Sequence, residues 1–285
     1  MTDLIAPGSS VGLTRLGRDA MTTVAELGPL ADLVGTWFGA QGWELMAVPD
    51  GSKTFRLIVR PYVEILTFEA LGAPVPNRGG PVPDLFIAGL LYQARIADLE
   101  TGEPLHVENG MWLNLGKSQE QPIVRQASIP HGDVFLALGT ASTTDGPPQI
   151  PSASGLPNGE PPKTVGYDEG QYDTTTPGGF EPRVPNKVLQ ATVAKQDVVR
   201  TTALSVCTLN GGAVVNIPFV EMHANATAFA CTYWIETIRA PATGEEVQQL
   251  QYSQQTNIEF LKARPGSPTP LIMWPHVNVN TLRKQ

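Results

Sequence analysis

The sequence predicts an all-β protein: a single antiparallel up-and-down β-barrel of about ten strands, with a short N-terminal helix and a long Pro/Gly-rich insertion. Three observations support this fold class. Apolar residues alternate with polar ones in short segments, turn residues separate these segments at short intervals, and one proline-rich segment interrupts the pattern. With 285 residues and a hydrophobic content of 41%, the chain is long enough to bury a large core.

The N-terminal region predicts an arm and then a helix. Residues 1–28 are mixed in character and rich in turn residues, so we expect an arm that precedes the barrel domain at 29–285. In "GPLADLVG", Pro29 suits the first helical position, and Leu30, Leu33 and Val34 share one face. This segment therefore predicts a helix of one or two turns that plugs the barrel.

The strands follow in order. "GTWFGAQGWELMAV" begins the first strand, and residues 54–70 alternate in the manner of a second. Residues 84–115 predict two strands joined at Thr101-Gly102, and residues 122–141 predict two more, separated by Pro130-His131-Gly132. After the insertion, the strand-like segments are "AVVNIPFV", "ATAFACTYWIETIRA", "VQQLQYSQQTNIEFL" and "LIMWPHVNVNTLRK", preceded by residues 187–209, which suit a strand or a short helix.

Residues 144–186 predict a long excursion from the sheet. The segment contains nine prolines and seven glycines, so it supplies few of the N–H donors that a strand ladder needs. Its low apolar content argues against a second domain, because such a segment cannot bury a core of its own. A lid or a mobile loop is the expectation.

Charge and composition exclude several classes of function. A net charge of −8, from 19 basic and 27 acidic residues, disfavours nucleic acid and anionic membranes as partners. The sequence shows no apolar run of membrane-spanning length and no secretory signal, so we expect a cytoplasmic protein without membrane insertion. Cys207 and Cys231 form no CxxC pair, and we expect free thiols.

The chain has four histidines, at positions 106, 131, 223 and 276. No two have a metal-chelating spacing, so the sequence does not predict a multi-histidine metal site. A haem iron needs only one axial ligand from the protein, and one imidazole suffices for it. His106 and Glu108 could serve in proton transfer, although two alternate residues of one strand are more often ordinary structural neighbours.

The chain resembles the nitrobindin-like haem-binding β-barrels, a calycin-like family related by fold to fatty-acid-binding proteins and lipocalins. "PLADLVGTWFGAQG" is similar to the family's opening signature, a short helix followed by Gly-Thr-Trp-x-Gly-x-Gly, with Gly42 one residue late. "PLHVENGMWLNL" resembles its Glu-x-Gly-aromatic strand, and "VRQASIPHGDVFLALG" resembles its Pro-x-Gly strand break.

This resemblance implies a cofactor and a site. Family members carry the axial histidine near the end of the final strand, and His276 lies nine residues before Gln285. The resemblance therefore implies haem b with His276 as the iron ligand, and a cofactor site that also contains Trp274, Thr36 and Trp37. It further implies nitric oxide binding or peroxynitrite isomerisation, with catalytic residues unassigned, and a homodimer, because barrel relatives pair through exterior surfaces.

The orientation of His276 is open at the level of the sequence. On a regular strand His276 shares a face with Trp274 and Asn278, while Val277 and Val279 occupy the other face. If the valines face the interior, the imidazole points outward. If the insertion or a second subunit covers an apolar outer wall, or if Pro275 introduces a bulge, the imidazole faces the lumen, which is our expectation.

Two other functions suit the same barrel. The first is a haem-free carrier of a hydrophobic small molecule, such as a fatty acid or an aromatic metabolite, with the insertion as a lid. The second is an enzyme that acts on such a ligand, with His106 and Glu108, or His131, as acid and base.

Overall fold

The computed structural model describes residues 20–51, 54–117, 119–157, 167–262 and 271–285. Three α-helices are present in these ranges: α1 (Ala20–Leu27), α2 (Lys187–Val193) and α3 (Pro218–His223). Short 3-10 helices span Gly28–Leu33, Gly170–Asp173 and Thr208–Asn210. The strands are β1 (Gly35–Asp50), β2 (Thr54–Ala70), β3 (Val75–Asn77), β4 (Leu85–Asp98), β5 (Pro104–Asn114), β6 (Ile123–Ile129), β7 (Asp133–Asp145), β8 (Asp197–Cys207), β9 (Ala213–Asn216), β10 (Asn225–Arg239), β11 (Glu246–Lys262) and β12 (Leu271–Lys284).

Ten of these strands close into a barrel in which every pairing is antiparallel. Each barrel strand pairs with the barrel strands before and after it in sequence, and β12 pairs with β1 to complete the ring. The two short strands are additions: β3 pairs with β4 and β9 pairs with β7. The predicted up-and-down barrel of about ten strands is therefore confirmed.

Two of the turns between strands lie at the glycines where the sequence predicted them. Gly102 adopts a φ of 73° in the turn between β4 and β5, and Gly132 adopts a φ of 107° between β6 and β7. Glycine carries no Cβ penalty in this left-handed region. The Asp98 carboxylate supports the first of these turns by accepting hydrogen bonds from the backbone N–H groups of Glu100 and Thr101, both at 2.9 Å.

The extra residue in the opening glycine signature is absorbed as a β-bulge. The register of β1 shifts between Gly39 and Gly42 against β2, and it also shifts against β12. The ring of Tyr62 lies directly against Gly42, where a Cβ atom would come within 2.2 Å of it. A side chain at position 42 would therefore displace a fully buried tyrosine.

The N-terminal helices plug one end of the barrel. Leu27, Leu30 and Leu33 are buried in the same cluster as the lumenal aromatic residues. The indole nitrogen of Trp37 donates a hydrogen bond of 2.7 Å to the carbonyl oxygen of Leu33 and so anchors β1 to the plug. The predicted short helix is present, as a 3-10 helix preceded by α1, while residues 1–19 of the predicted arm lie outside the described residues.

The proline-rich insertion packs against the outer wall of the barrel. Phe180 stacks on Trp43 with ring centroids 5.2 Å apart, and the side-chain oxygen of Gln171 accepts a hydrogen bond of 2.8 Å from the backbone N–H of Leu57. Val277 and Val279 belong to the same buried cluster as Phe180. The valine face of the last strand is therefore an exterior face that the insertion covers.

Cys207 and Cys231 are free thiols, as expected. None of the helices in the described part of the chain has the length and hydropathy needed to span a bilayer.

Candidate functional site

Three of the four histidines converge at one end of the barrel, which we call the histidine end. His106 lies near the start of β5, His131 lies in the turn between β6 and β7, and His276 lies in the first half of β12. The ring centroids of His106 and His131 are 5.5 Å apart. Burial lowers the pKa of His131, and the charges of His106 and, more weakly, His276 lower it further. The neutral imidazole is therefore favoured at position 131.

His276 lies on the lumenal side of its strand and is held by a carboxylate. Its Nε2 atom is 3.1 Å from Oε1 of Glu44, and its side chain is 22% exposed. The Nε atom of Arg60 donates a 2.7 Å hydrogen bond to the other carboxylate oxygen. Burial opposes ionisation of Glu44, but His276 and Arg60 outweigh it, and the pKa of Glu44 falls from 4.5 to about 2.

A second carboxylate holds His106. The Nε2 atom of His106 lies 3.4 Å from Oε2 of Glu108, whose Oε1 accepts a 2.8 Å hydrogen bond from the guanidinium of Arg125. Tyr92 also donates to Oε1 of Glu108. Burial opposes ionisation of Glu108 as well, yet Arg125 and His106 lower its pKa to about 2. Glu108 therefore links the histidine end to the interior.

Arg125 fills the centre of the lumen below the histidines. It is 1% exposed, and it donates hydrogen bonds to Tyr92 Oη at 3.0 Å, Cys231 Sγ at 3.1 Å and Gln254 Oε1 at 3.2 Å. Five aromatic rings surround its guanidinium at 5.2 to 5.6 Å, contributed by Tyr92, Trp112, Phe135, Phe229 and Tyr233. The lumen at this level is occupied by side chains.

A network of hydrogen bonds around another buried carboxylate, that of Glu64, also fills the lumen. Glu64 is 2% exposed and accepts hydrogen bonds from Tyr252 Oη at 2.7 Å and from the Asn280 amide at 2.9 Å. Tyr252 in turn shares a 2.7 Å hydrogen bond with Tyr62. Burial raises the pKa of Glu64 despite these donors. The polar face that Asn280 and His276 share on β12 therefore points into the barrel.

Trp274 lies in the outer cluster. It is buried against Phe55 and Phe260, with ring centroids 4.4 and 5.1 Å away, and its indole nitrogen donates to the carbonyl oxygen of Phe260 at 3.0 Å. Trp274 and Val277 belong to one buried cluster, which also contains Phe180 of the insertion. The pairing with β11 continues without a register shift at Pro275.

Thr36 and Trp37 lie at the plugged end, away from His276. Trp37 pairs with Lys284, and His276 precedes Lys284 by eight residues on the same strand, which corresponds to about 26 Å at ~3.3 Å per residue. Thr36 is exposed, and Trp37 is fully buried below the plug. The structure therefore does not bring these two residues to the histidine end.

Among the described residues of the histidine end, His276 offers an imidazole that could serve as a single metal ligand. The side chain of His276 is partly exposed, so a ligand can reach the imidazole from outside, whereas side chains fill the lumen around Arg125. Glu44 occupies Nε2, so iron could bind Nδ1, or Nε2 once the Glu44 contact has opened. Among the described residues, no three His, Cys, Asp or Glu side chains are placed to hold a bare metal ion.

Sequence reasoning missed Glu44, Arg60, Arg125 and the part played by His131. A signal was present for two of them. Glu44 stands between Trp43 and Leu45, and Arg125 follows Ile123-Val124, so each is a charged residue inside an apolar strand. Such residues need a buried partner, but alternation alone does not say which one.

Comparison with known proteins supports the same class of barrel. The model of a family described as "THAP4-like, heme-binding beta-barrel domain" matches residues 26–150. The resemblance to haem-binding barrels is thus confirmed for that segment, which contains His106 and His131 and ends before β12. No curated protein matches the sequence. A solved structure, Rv2717c from M. tuberculosis, is 18% identical, with 91% of this chain and 97% of that chain covered and a TM-score of 0.45.

Proposed function

We propose that the protein binds haem b at the histidine end of the barrel, with His276 as the axial ligand. The observation that carries the proposal is the partly exposed imidazole of His276 on the lumenal side of β12, at the one end where three histidines meet. The match of residues 26–150 to a haem-binding barrel family supports it independently.

The neighbouring residues suit this role. The Glu44 carboxylate accepts a hydrogen bond from the imidazole, and a carboxylate partner orients a ligating histidine and raises its basicity. Arg60 neutralises the Glu44 charge. His131, which favours the neutral form, stands nearby as a polar group that can accept or donate a hydrogen bond.

A bound haem would supply the iron for the chemistry that the resemblance implies, namely nitric oxide binding or peroxynitrite isomerisation. The chain itself would hold the imidazole and place His106 and His131 beside it. Behind that end, the aromatic residues around Arg125 exclude water from the deeper lumen. The same filling disfavours a haem-free carrier that encloses its ligand at this depth of the barrel. A homodimer stays a prediction of the resemblance.

Hemin titration of the purified protein tests this proposal. We expect a sharp Soret band at one equivalent in the wild type and its loss in His276→Ala. His223→Ala is the matched control, because His223 is exposed on α3, where its Nδ1 contacts the Phe219 carbonyl, so this variant should bind hemin as the wild type does. A wild type without a Soret band, or an unchanged band in His276→Ala, would contradict the proposal.

A further inference from the structure

A concave site lies at the end of the barrel opposite the histidines. It is a cleft of about 500 Å³ between the turn after α2, the hairpin that joins β10 to β11, and the end of β12. We call it the basic cleft, because four cationic side chains line it, from Lys195, Arg239, Arg283 and Lys284.

The basic cleft opposes the charge of the chain as a whole. No acidic side chain is among the described residues that line it, although the chain carries a net charge of −8. Like charges around one concavity repel one another, and those without a carboxylate partner create a local positive potential. A small anion that enters the cleft would relieve this repulsion.

Two of the four cations have partners. The guanidinium of Arg239 forms a 2.9 Å ion pair with Asp197. The ammonium of Lys284 donates to the carbonyl oxygen of Asp32 at 2.8 Å and lies 5.2 Å above the ring of Trp37. These contacts fix both side chains at the edge of the cleft, and the charge of Asp32 also acts on Lys284.

The other two cations are available. Within the described part of the chain, the side chains of Lys195 and Arg283 make no hydrogen bond and no ion pair. The acidic group whose charge acts on Arg283 is Glu236, which is fully buried. Burial raises the pKa of Glu236 to about 7, so this carboxyl group is only partly ionised at neutral pH. Burial also lowers the pKa of Arg283 and Lys284, which means that their charged forms are incompletely solvated.

We infer that the basic cleft binds a small phosphorylated molecule, with Arg283 and Lys195 as the phosphate ligands. Guanidinium and ammonium groups are the cations that most often bind phosphate, the first through a planar fork and the second as a point charge. The volume is within the range of small-molecule sites. Ile238 and Pro241 form an apolar wall against which the remainder of such a ligand can pack.

Isothermal titration of the full chain with inorganic pyrophosphate, without hemin and at low ionic strength, tests this inference. We expect saturable binding to the wild type, and about tenfold weaker binding in Arg283→Gln and in Lys195→Gln, equivalent to ~1.4 kcal/mol each. Arg95→Gln is the control, because it removes the same charge from an exposed position on β4. It should bind pyrophosphate within twofold of the wild type.

Three outcomes would overturn the inference. They are no binding to the wild type, unchanged binding in both cleft variants, and an equal loss in Arg95→Gln, which would indicate a nonspecific effect of net charge. Lys195 is exposed outside any strand, so Lys195→Gln keeps the test informative if Arg283→Gln fails to fold. The hemin titration of Lys195→Gln should match that of the wild type, which separates this site from the proposed haem site.

Discussion

The imidazole of His276 and the carboxylate of Glu44 are 232 positions apart in sequence and 3.1 Å apart in space. The two residues come from the last and first strands of the barrel, which pair to close the ring. Closure therefore places a charged partner beside the histidine at which we propose haem binding.

The Glu44–His276 contact predicts a loss of hemin affinity when the carboxylate is removed. Glu44→Gln keeps the shape of the side chain but weakens the hold on the imidazole, so we expect hemin affinity to fall about tenfold, as is typical when a partner of a metal ligand is altered. The measurement is a hemin titration followed by absorbance. Glu69→Gln, at an exposed position on β2, is the control. A rise in affinity would show instead that Glu44 competes with iron for Nε2.

Buried Glu236 predicts a pH-dependent stability. Burial raises its folded pKa from 4.5 to about 7, so the native state holds this proton more tightly than the unfolded state does. Its contribution is fully present below about pH 4.5 and is lost as the pH rises towards 7. In Glu236→Gln we expect the fall in unfolding free energy between pH 5 and pH 8 to shrink by on the order of 3 kcal/mol.

Urea denaturation at both pH values measures this effect. Glu169 also has a raised pKa, but it is present in every variant, so the comparison isolates Glu236. Glu246→Gln, at an exposed position, should retain the pH dependence of the wild type. Identical pH profiles for Glu236→Gln and the wild type would refute the prediction.

The buried pair of Arg125 and Glu108 predicts a large and partly reversible loss of stability. Arg125→Met leaves the Glu108 carboxylate buried without its main counter-charge, so we expect a cost of about 3–5 kcal/mol in unfolding free energy. Adding Glu108→Gln should recover part of that loss, because it removes the unpaired charge. Denaturant titrations of the single and double variants measure both effects. A double variant less stable than Arg125→Met would contradict this account.

Phe180 predicts how firmly the insertion is attached to the barrel. Phe180 is fully buried and stacks on Trp43, so Phe180→Ala removes one of the aromatic contacts between the insertion and the outer wall. We expect limited proteolysis to cut within residues 167–186 about tenfold faster, since local undocking of this described part of the insertion becomes easier. Phe219→Ala, at a side chain that is 69% exposed, is the control. Equal cleavage rates in the two variants would mean that Phe180 does not hold the insertion.

Much of the architecture followed from local patterns. Alternation identified the strands, Pro29 with Leu30 and Leu33 identified the plug, and the nine prolines of residues 144–186 identified the insertion. These features depend on backbone preferences and on periods of two or four residues, which are visible within one segment.

The composition of the histidine end and the orientation of the last strand were decided by the tertiary structure. Val277 and Val279 face outward because the insertion supplies an apolar cover, which turns His276 towards Glu44. His106 and His131 join them because ring closure brings distant strands together at one end. The sequence by itself determined which residues form strands, whereas only the closed barrel decided which of these residues contact one another. Contacts between distant segments depend on strand register and barrel closure, and they produce no periodic pattern within a single segment.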